Sequence, residues 1–328
     1  MATNTPSFRK NRNNPARRRW LVGGVAVFLL FDVGLVALAL TATKPFSSAG
    51  TVVEPVETSA PTDAEPVETA APAVVEPVET TATTTVAPTR LLAALDSSTA
   101  WRASTGACPA ASADPELTTD SGATWESFNA SIETDASSIL AINVIDDTET
   151  SLVTLDLAEC APQLVSTFVT GDQWRAYAER VAVEWYVDPA TPATVHSPTG
   201  DAAAPCASVA TWAATDDTSA AVLCTDASVF TTTDAGVTWS APASVPGAAA
   251  LAATSGGYEV AVANPAGCVG VSLVTVSGDG SLDATARGCL AATVNPGEAA
   301  ISVAGGGTLW LWAGDAFARS TDGGQSWA

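Results

Sequence analysis

The sequence predicts an all-β domain over residues 91–328, made of repeated four-stranded sheets, and two observations lead to that prediction. An octet with the pattern Ser/Thr-x-Asp-x-Gly-x-Ser/Thr-Trp occurs at 118–125, 232–239 and 320–327. Its aspartates are 114 and 88 residues apart (120 to 234, and 234 to 322). Each interval holds about two units of four short strands, and regular spacing of this kind is typical of repeat architectures.

Each octet predicts the turn of a β-hairpin, because it lies between two short runs of alternating character. Glycine supplies a positive φ, while the aspartate and the hydroxyl side chains satisfy turn amides. The tryptophan can pack its ring beneath the turn. The residues with these structural roles are Asp120, Gly122, Thr124, Trp125, Asp234, Gly236, Thr238, Trp239, Asp322, Gly324, Ser326 and Trp327.

Degraded copies of the octet fill the gaps in this series. GDQW (171–174) and SGDG (277–280) lie between the clear copies, and the intervals between successive aspartates become 52, 62, 45 and 43 residues. Small, nearly continuously apolar runs predict inner strands near 91–95, 139–145, 208–214, 249–254 and 299–304, as expected close to a crowded axis. The series predicts five units, the last with its outer strand nearly absent.

The octet resembles the Asp-box, also called the bacterial neuraminidase repeat, which in its family joins the third and fourth strands of a β-propeller blade. The stretches 224–239 and 310–327 also look like blades of photosystem II assembly factor-like propellers. The resemblance covers about residues 91–328 and implies a five-bladed β-propeller. It carries over no reaction, because the motif is structural in that family.

The N-terminal part predicts a membrane anchor: a basic cytoplasmic tail over residues 1–19 and a transmembrane helix over 20–43. The run 20–40 is apolar apart from Asp32 and follows six basic residues, which is long enough to cross a bilayer and orients the N-terminus inwards. A cleaved signal peptide, with ALA at 37–39 as its site, is the alternative. Asp32 is expected to be protonated or to face a partner helix, unless the surrounding apolar residues simply outweigh its charge.

Residues 44–90 predict an extended extracytoplasmic linker. EPVET recurs at 54–58, 65–69 and 76–80 among Thr, Ala and Pro residues, a composition that cannot form a core and that prolines and like charges keep extended. This organisation predicts a single-pass protein of the cell membrane, with the domain 91–328 outside the membrane.

Charge and cysteine content restrict the partners and the chemistry of the domain. Residues 91–328 hold 27 acidic residues, five arginines and no lysine, so nucleic acid is not an expected partner. Six cysteines without a Cys-x-x-Cys pair indicate disulfides rather than zinc, and no cofactor is expected. The positions relative to the strands predict the pairs Cys108–Cys160, Cys206–Cys224 and Cys268–Cys289.

Catalytic patterns are weak in this sequence. Sialidases share the Asp-box, yet they use an arginine triad and a Tyr–Glu nucleophile pair, and the adjacent pair here, Tyr258 and Glu259, lies in an alternating strand pattern. The Asp146–Asp147 and Asp216–Asp217 pairs fit hairpin turns better than a calcium site. No catalytic or metal-binding residue is therefore predicted.

Two classes of function remain open at the level of sequence. The first is a non-catalytic binding or assembly module that takes a protein or glycan partner; the second is a sialidase-like glycoside hydrolase or glycan-binding protein. For the first class, the longest link between blades, residues 178–206, is predicted on the face opposite the octets. Its candidate partner-binding residues are Arg180, Trp185, Tyr186 and His196, of types enriched at binding hot spots; the alternative is that Trp185 and Tyr186 cap the propeller edge.

Overall fold

The computed structural model describes residues 84–328, which form a five-bladed β-propeller. Blade 1 contains β1 (Arg90–Ala94), β2 (Ala100–Ser104), β3 (Glu116–Thr118) and β4 (Glu126–Ser127). Blade 2 follows a four-residue helix (Ser131–Thr134) and contains β5 (Ala136–Val144), β6 (Thr150–Asp156), β7 (Pro162–Thr167) and β8 (Arg175–Ala176). In both blades, consecutive strands pair antiparallel from the axis outwards.

The same meander continues in the second half of the chain, after a 3-10 helix (Ala178–Val183) and a hairpin of β9 (Thr194–Ser197) and β10 (Gly200–Ala203). Blade 3 contains β11 (Val209–Ala214), β12 (Ala220–Cys224), β13 (Ser228–Thr232) and β14 (Ala243–Ser244). Blade 4 contains β15 (Ala248–Thr254), β16 (Gly257–Ala263), β17 (Gly270–Ser277), β18 (Leu282–Asp283) and a short β19 (Leu290–Ala291) that also pairs with β17. Blade 5 contains β20 (Ala299–Val303), β21 (Leu309–Ala313) and β22 (Ala316–Ser320).

The hydrophobic core lies between the blades rather than inside one sheet. Residues of β6 from Thr150 to Leu155 are buried without alternation, because both faces of the strand are covered by neighbouring structure. Separate apolar clusters join blades 1 and 2, blades 3 and 4, and blades 4 and 5. The small inner strands leave a narrow axial channel of about 260 Å³.

Blades 2 and 3 are separated by an ordered wedge, which we define as residues 177–204. Within it, Tyr186 pairs with His196 of β9, and β9 pairs with β10, so the wedge forms a miniature sheet. Trp185 is 6% exposed and packs with Val195, Val209 and Val222. The link 178–206, which the sequence predicts on the face opposite the octets, is therefore folded into the interface between blades 2 and 3. This insertion explains the longest interval between octets, which is 62 residues.

Segment 84–89, which we call the strap, crosses the axial mouth on the face formed by the links between blades. Its backbone is hydrogen-bonded to blades 1, 3 and 5, through Thr105, Thr225 and Gly297. The hydroxyl of Thr85 donates to the carbonyl of Ala248 in blade 4, at 2.9 Å. The predicted linker 44–90 thus ends earlier than expected, because its last residues pack on the propeller.

The last blade has three full strands, as the sequence predicts. Ala328 exchanges both backbone hydrogen bonds with Arg319 of β22, at 2.8 and 2.9 Å, where a fourth strand would lie. The three disulfides join Cys108 to Cys160, Cys206 to Cys224 and Cys268 to Cys289, which are the predicted pairs.

The predicted cytoplasmic tail, transmembrane helix and most of the linker lie outside the described residues. Within residues 84–328, no helix is both long and apolar enough to cross a membrane.

Candidate functional site

Two kinds of turn share one face of the propeller, which we call the turn face: those between first and second strands and those between third and fourth strands. Backbone hydrogen bonds join the two kinds within a blade, from Ser121 to Ser98, from Thr170 to Thr148 and from Ala235 to Thr218. The opposite face, the link face, carries the strap and the connections between blades.

The three octets form the same hydrogen-bonded turn. In the first, the amide and hydroxyl of Thr124 donate to the carboxylate of Asp120, at 2.9 and 2.6 Å, and the hydroxyl of Thr118 donates to it at 2.8 Å. The Thr118 hydroxyl in turn accepts from the amide of Gly122, whose φ of 86° suits glycine. Asp234 and Asp322 have equivalent partners. The link to the Asp-box family itself remains a resemblance.

The tryptophans that end these turns join each blade to the structure before it. Trp125 packs edge-on against Phe317 of blade 5, with ring centroids 5.1 Å apart. Trp174, from the degraded copy GDQW, packs edge-on against Trp101 of blade 1 at 6.0 Å. Trp239 donates from Nε1 to the carbonyl of Ala203 in the wedge, at 3.2 Å, and Trp327 packs on the cluster between blades 4 and 5.

Blade 4 departs from this pattern and leaves a notch on the turn face. Its first two strands are joined by only Ser255 and Gly256, whereas the other blades use five residues (95–99, 145–149, 215–219 and 304–308). Its third turn is also short: four residues (278–281) join β17 to β18, whereas seven residues (119–125 and 168–174) form the corresponding turns of blades 1 and 2. The missing turn residues leave a cavity of about 970 Å³ above blade 4, between the turns of blades 3 and 5.

A buried ion pair lines this notch. Glu259 of β16 is 8% exposed and pairs with the guanidinium of Arg287, which also donates to the carbonyl of Gly323, at 2.9 Å. Burial lowers the pKa of Arg287 from its usual high value, but an arginine stays charged in a protein. Burying two charges is costly and contributes little net stability, so the pair is a candidate functional feature rather than a stability device.

The two acidic side chains that line the notch are Asp216, which is ionised, and Glu259, which is paired with Arg287. Asp216, on the blade 3 wall, accepts from the amides of Thr218 and Ser219, both at 2.8 Å. The Thr218 amide is the main cause that lowers the pKa of Asp216 to about 2. Glycoside hydrolysis by paired carboxyl groups needs one that is protonated near neutral pH. Asp216 does not meet that condition, and Glu259 is bound to arginine.

Tyr258 and Glu259 do not act on the same side of their strand. Neighbouring residues in a strand point to opposite faces, and the Tyr258 ring is 2% exposed in the cluster between blades 3 and 4. Burial is the main cause that raises the pKa of Tyr258, which opposes formation of a phenolate. The geometry does not provide the Tyr–Glu pair of a sialidase.

Among the described residues, Arg90 and Arg102 share the ring of Trp312 as a neighbour, and no three arginines line the notch. Arg102 binds Glu116 at 2.6 Å, Arg319 donates to the carbonyl of Ser97, and Arg180 lies over the ring of Tyr177 at 4.6 Å. Arg287 is the arginine that lines the notch. Within residues 84–328, no group of three or more His, Cys, Asp or Glu residues is arranged to hold a metal ion.

The structure brings together three of the four residues predicted to bind a partner, but it engages them internally. The rings of Tyr186 and His196 stack at 4.4 Å, and His196 Nδ1 lies 2.6 Å from Asp201 Oδ1. Trp185 donates from Nε1 to the carbonyl of Asp216 at 3.0 Å, so its buried ring offers little surface to a partner. Arg180 is exposed on the 3-10 helix.

Sequence reasoning missed the notch and the Glu259–Arg287 pair. The two residues are 28 positions apart, and no local pattern indicates that they meet. The available signal was the length of the turn after the predicted inner strand 249–254, which is shorter than the turns that contain paired acids.

The fold and the notch define a five-bladed β-propeller with a polar cavity on its turn face. No protein-family model matches the chain, and no curated protein matches it. Among solved structures, the chain is similar to YCF48 bound to a D1 peptide, with 18% identity and a TM-score of 0.27, over 76% of this chain and 67% of that one.

Two further similarities are to YCF48 from Cyanidioschyzon merolae and to a GH74 xyloglucanase from Xanthomonas campestris. The first has 12% identity and a TM-score of 0.36, over 76% of this chain and 85% of that one. The second has 18% identity and a TM-score of 0.30, over 73% of this chain, which spans 37% of the xyloglucanase. At these TM-scores the similarities carry no argument about function.

Proposed function

We propose that this chain is a non-catalytic binding module that takes a partner at the notch on its turn face. The observation that carries the proposal is the notch itself: an open polar cavity of about 970 Å³ whose Asp216 is ionised and whose Glu259 is bound by Arg287. Such a cavity has the size of a ligand site and offers fixed charges and hydrogen bonds, without a proton donor for hydrolysis.

The link face is the weaker candidate for binding. The strap crosses its centre and is hydrogen-bonded to four blades. The link 178–206, which the sequence predicts on this face, is folded into the wedge. An incoming partner would have to displace the chain's own segment there. The turn face keeps its cavity open.

The proposal includes attachment to the outer side of the cell membrane through residues 20–43, which rests on the apolar run 20–40 and the basic residues before it. Full-length chain is expected in the membrane fraction after carbonate washing, and chain lacking residues 20–43 is not. Recovery of a shortened, freely released chain would instead support the cleaved signal peptide.

A photo-crosslinking residue at Ser255, in full-length chain produced in its own cells, tests the binding role. Ser255 is exposed at the mouth of the notch, so a specific adduct is expected there. The matched control is the same residue at Val269, which is 84% exposed on the link face of the same blade. Adducts at both positions, or at neither, would contradict a partner site at the notch.

The enzyme alternative is tested on the same preparation. Purified full-length chain is incubated with a panel of sialylated and neutral oligosaccharides, and released reducing sugar is measured. No release is expected. Turnover that disappears in a Glu259→Gln variant would overturn the non-catalytic proposal.

A further inference from the structure

The border of the notch is negatively charged on three sides. Asp216 lines the blade 3 side, Asp279 directly follows Gly278 of the blade 4 lining, and Asp322 directly precedes Gly323 of the blade 5 lining. Hydrogen bonds donated by their own turns lower the pKa of Asp216, Asp279 and Asp322. These carboxylates are therefore charged at any physiological pH.

Among residues 84–328, the one cation that lines the notch does not offset this border. The guanidinium of Arg287 is neutralised by Glu259 and gives a further hydrogen bond to the backbone of blade 5. An anionic ligand would meet these three aspartates, and no uncompensated positive charge lines the notch among residues 84–328. Like charges in a partly enclosed cleft repel strongly, and opposite charges are attracted and steered into it.

The walls of the notch favour an extended chain over a compact ion. Gly305, Gly306 and Gly307 line the blade 5 side, and Gly256 and Gly257 line the blade 4 side, so backbone groups are reachable without intervening side chains. The cavity volume of about 970 Å³ is several times that of one amino-acid side chain and lies at the upper end for ligand pockets.

We infer that the notch binds a lysine- or arginine-bearing peptide segment of a partner protein. The inference rests on the proposed binding function and adds the chemical class of the ligand. The peptide backbone lies along the glycine-lined walls, and its cationic side chains face the aspartates at the border. The Glu259–Arg287 pair forms a neutral, polar part of the lining.

Fluorescence anisotropy with three labelled hexapeptides, alternating glycine with lysine, serine or glutamate, tests this class on purified full-length chain in detergent at about 0.15 M salt. The lysine peptide is expected to bind at micromolar to millimolar concentration, and the serine and glutamate peptides at least tenfold more weakly. Equal binding of the serine peptide, or no binding of the lysine peptide up to several millimolar, would overturn the inference.

Two tryptophan variants separate a site from general attraction to an acidic surface. Gly256 lines the notch, has open space around it and has no positive φ, so Gly256→Trp places an indole in the blade 4 part of the notch without strain or change of charge. It is expected to weaken binding of the lysine peptide at least tenfold, whereas Val269→Trp on the link face leaves binding unchanged. Unchanged binding by Gly256→Trp would show non-specific attraction and overturn the inference.

A charge variant provides the second criterion. Asp279 is exposed and follows the lining residue Gly278, and Asp279→Asn is expected to weaken binding of the lysine peptide by about two- to fivefold, the range of one exposed ion pair. An unchanged affinity would contradict the assigned role of the border. If a partner is crosslinked at Ser255 but the chain does not bind the lysine peptide, the proposed binding function is retained and only the ligand class is overturned.

Discussion

Each octet turn is organised by one carboxylate, and this gives the fold a pH dependence. The hydroxyl and amide of Thr124 are the main causes that lower the pKa of Asp120 to about 2. A carboxyl whose folded-state pKa lies below its unfolded value of 3.8 stabilises the fold above that value, and the contribution is lost as pH falls through about 2. We therefore expect the thermal midpoint of the full-length chain to fall steeply between about pH 4 and pH 2.

The variant Asp120→Asn assigns part of this loss to one residue. Its thermal midpoint should lie below that of the unmodified chain above pH 4, and the difference should narrow as the pH falls from 4 through about 2, because Asp120 becomes protonated in the folded state over that range. Asp147→Asn, at an exposed acid of a hairpin turn, serves as the control. A difference between Asp120→Asn and the unmodified chain that stays constant across this pH range would contradict the assignment.

Among the elements, the wedge is held in place by Trp185, for which the sequence allows both a partner-binding and a structural role. Trp185 packs against three valines between blades 2 and 3 and donates to blade 3 through Asp216. Trp185→Ala is expected to lower the free energy of unfolding by about 3–5 kcal/mol, as large truncations in a core do. Urea unfolding followed by tryptophan fluorescence measures this. Val183→Ala, at a 61% exposed position in the same segment, should change stability by less than about 0.5 kcal/mol.

The stabilisation that each disulfide gives is expected to grow with the logarithm of the length of chain that it encloses. Cys108–Cys160 spans 52 residues and joins the link-face loops of blades 1 and 2, whereas Cys206–Cys224 spans 18. Chain entropy assigns them about 4 and about 3 kcal/mol respectively. Paired Cys→Ala variants compared by urea unfolding should follow that order. A reversed order would show that packing around the sulfur atoms, rather than loop closure, dominates.

The sequence predicted the blades well because their signals are local. An octet fixes its own turn through contacts within five residues, such as Thr124 to Asp120, and its tryptophan marks the outer end of a blade. The wedge has no such marker, since the pairing of Tyr186 with His196 depends on the space between two finished blades. The notch arises because the turn between the first two strands of blade 4 is short. Its Glu259–Arg287 pair forms only when β16 and the segment after β18 come together in the folded blade.

At the scale of the whole molecule, the ring closes between blades 5 and 1 through a backbone hydrogen bond from Gly305 to Leu95 and through a set of stacked side chains. The guanidinium of Arg102 lies 4.0 Å from the ring centroid of Trp125 and 4.7 Å from that of Trp312, and Arg90 lies 4.5 Å from Trp312. Trp310 adds a hydrogen bond from Nε1 to the carbonyl of Asp96, at 3.0 Å. Cationic and aromatic groups thus alternate across the seam, next to a blade for which the described residues provide three full strands.

A double-mutant cycle with Arg102→Leu and Trp312→Leu measures this closure. The two side chains are partly buried and touch across the seam, so we expect a coupling energy of about 1 kcal/mol and faster amide exchange in β1 and β21 than in β12. The control cycle is Arg180→Leu with Tyr177→Leu, a pair away from the seam whose arginine is exposed and whose tyrosine is half-buried; its coupling should be near zero and exchange at the seam unchanged. Two results would contradict this expectation: equal coupling energies in the two cycles, or uniform amide exchange in all blades. Either result would show that apolar packing of β1 on β20, and not the stacked arginines, closes the ring.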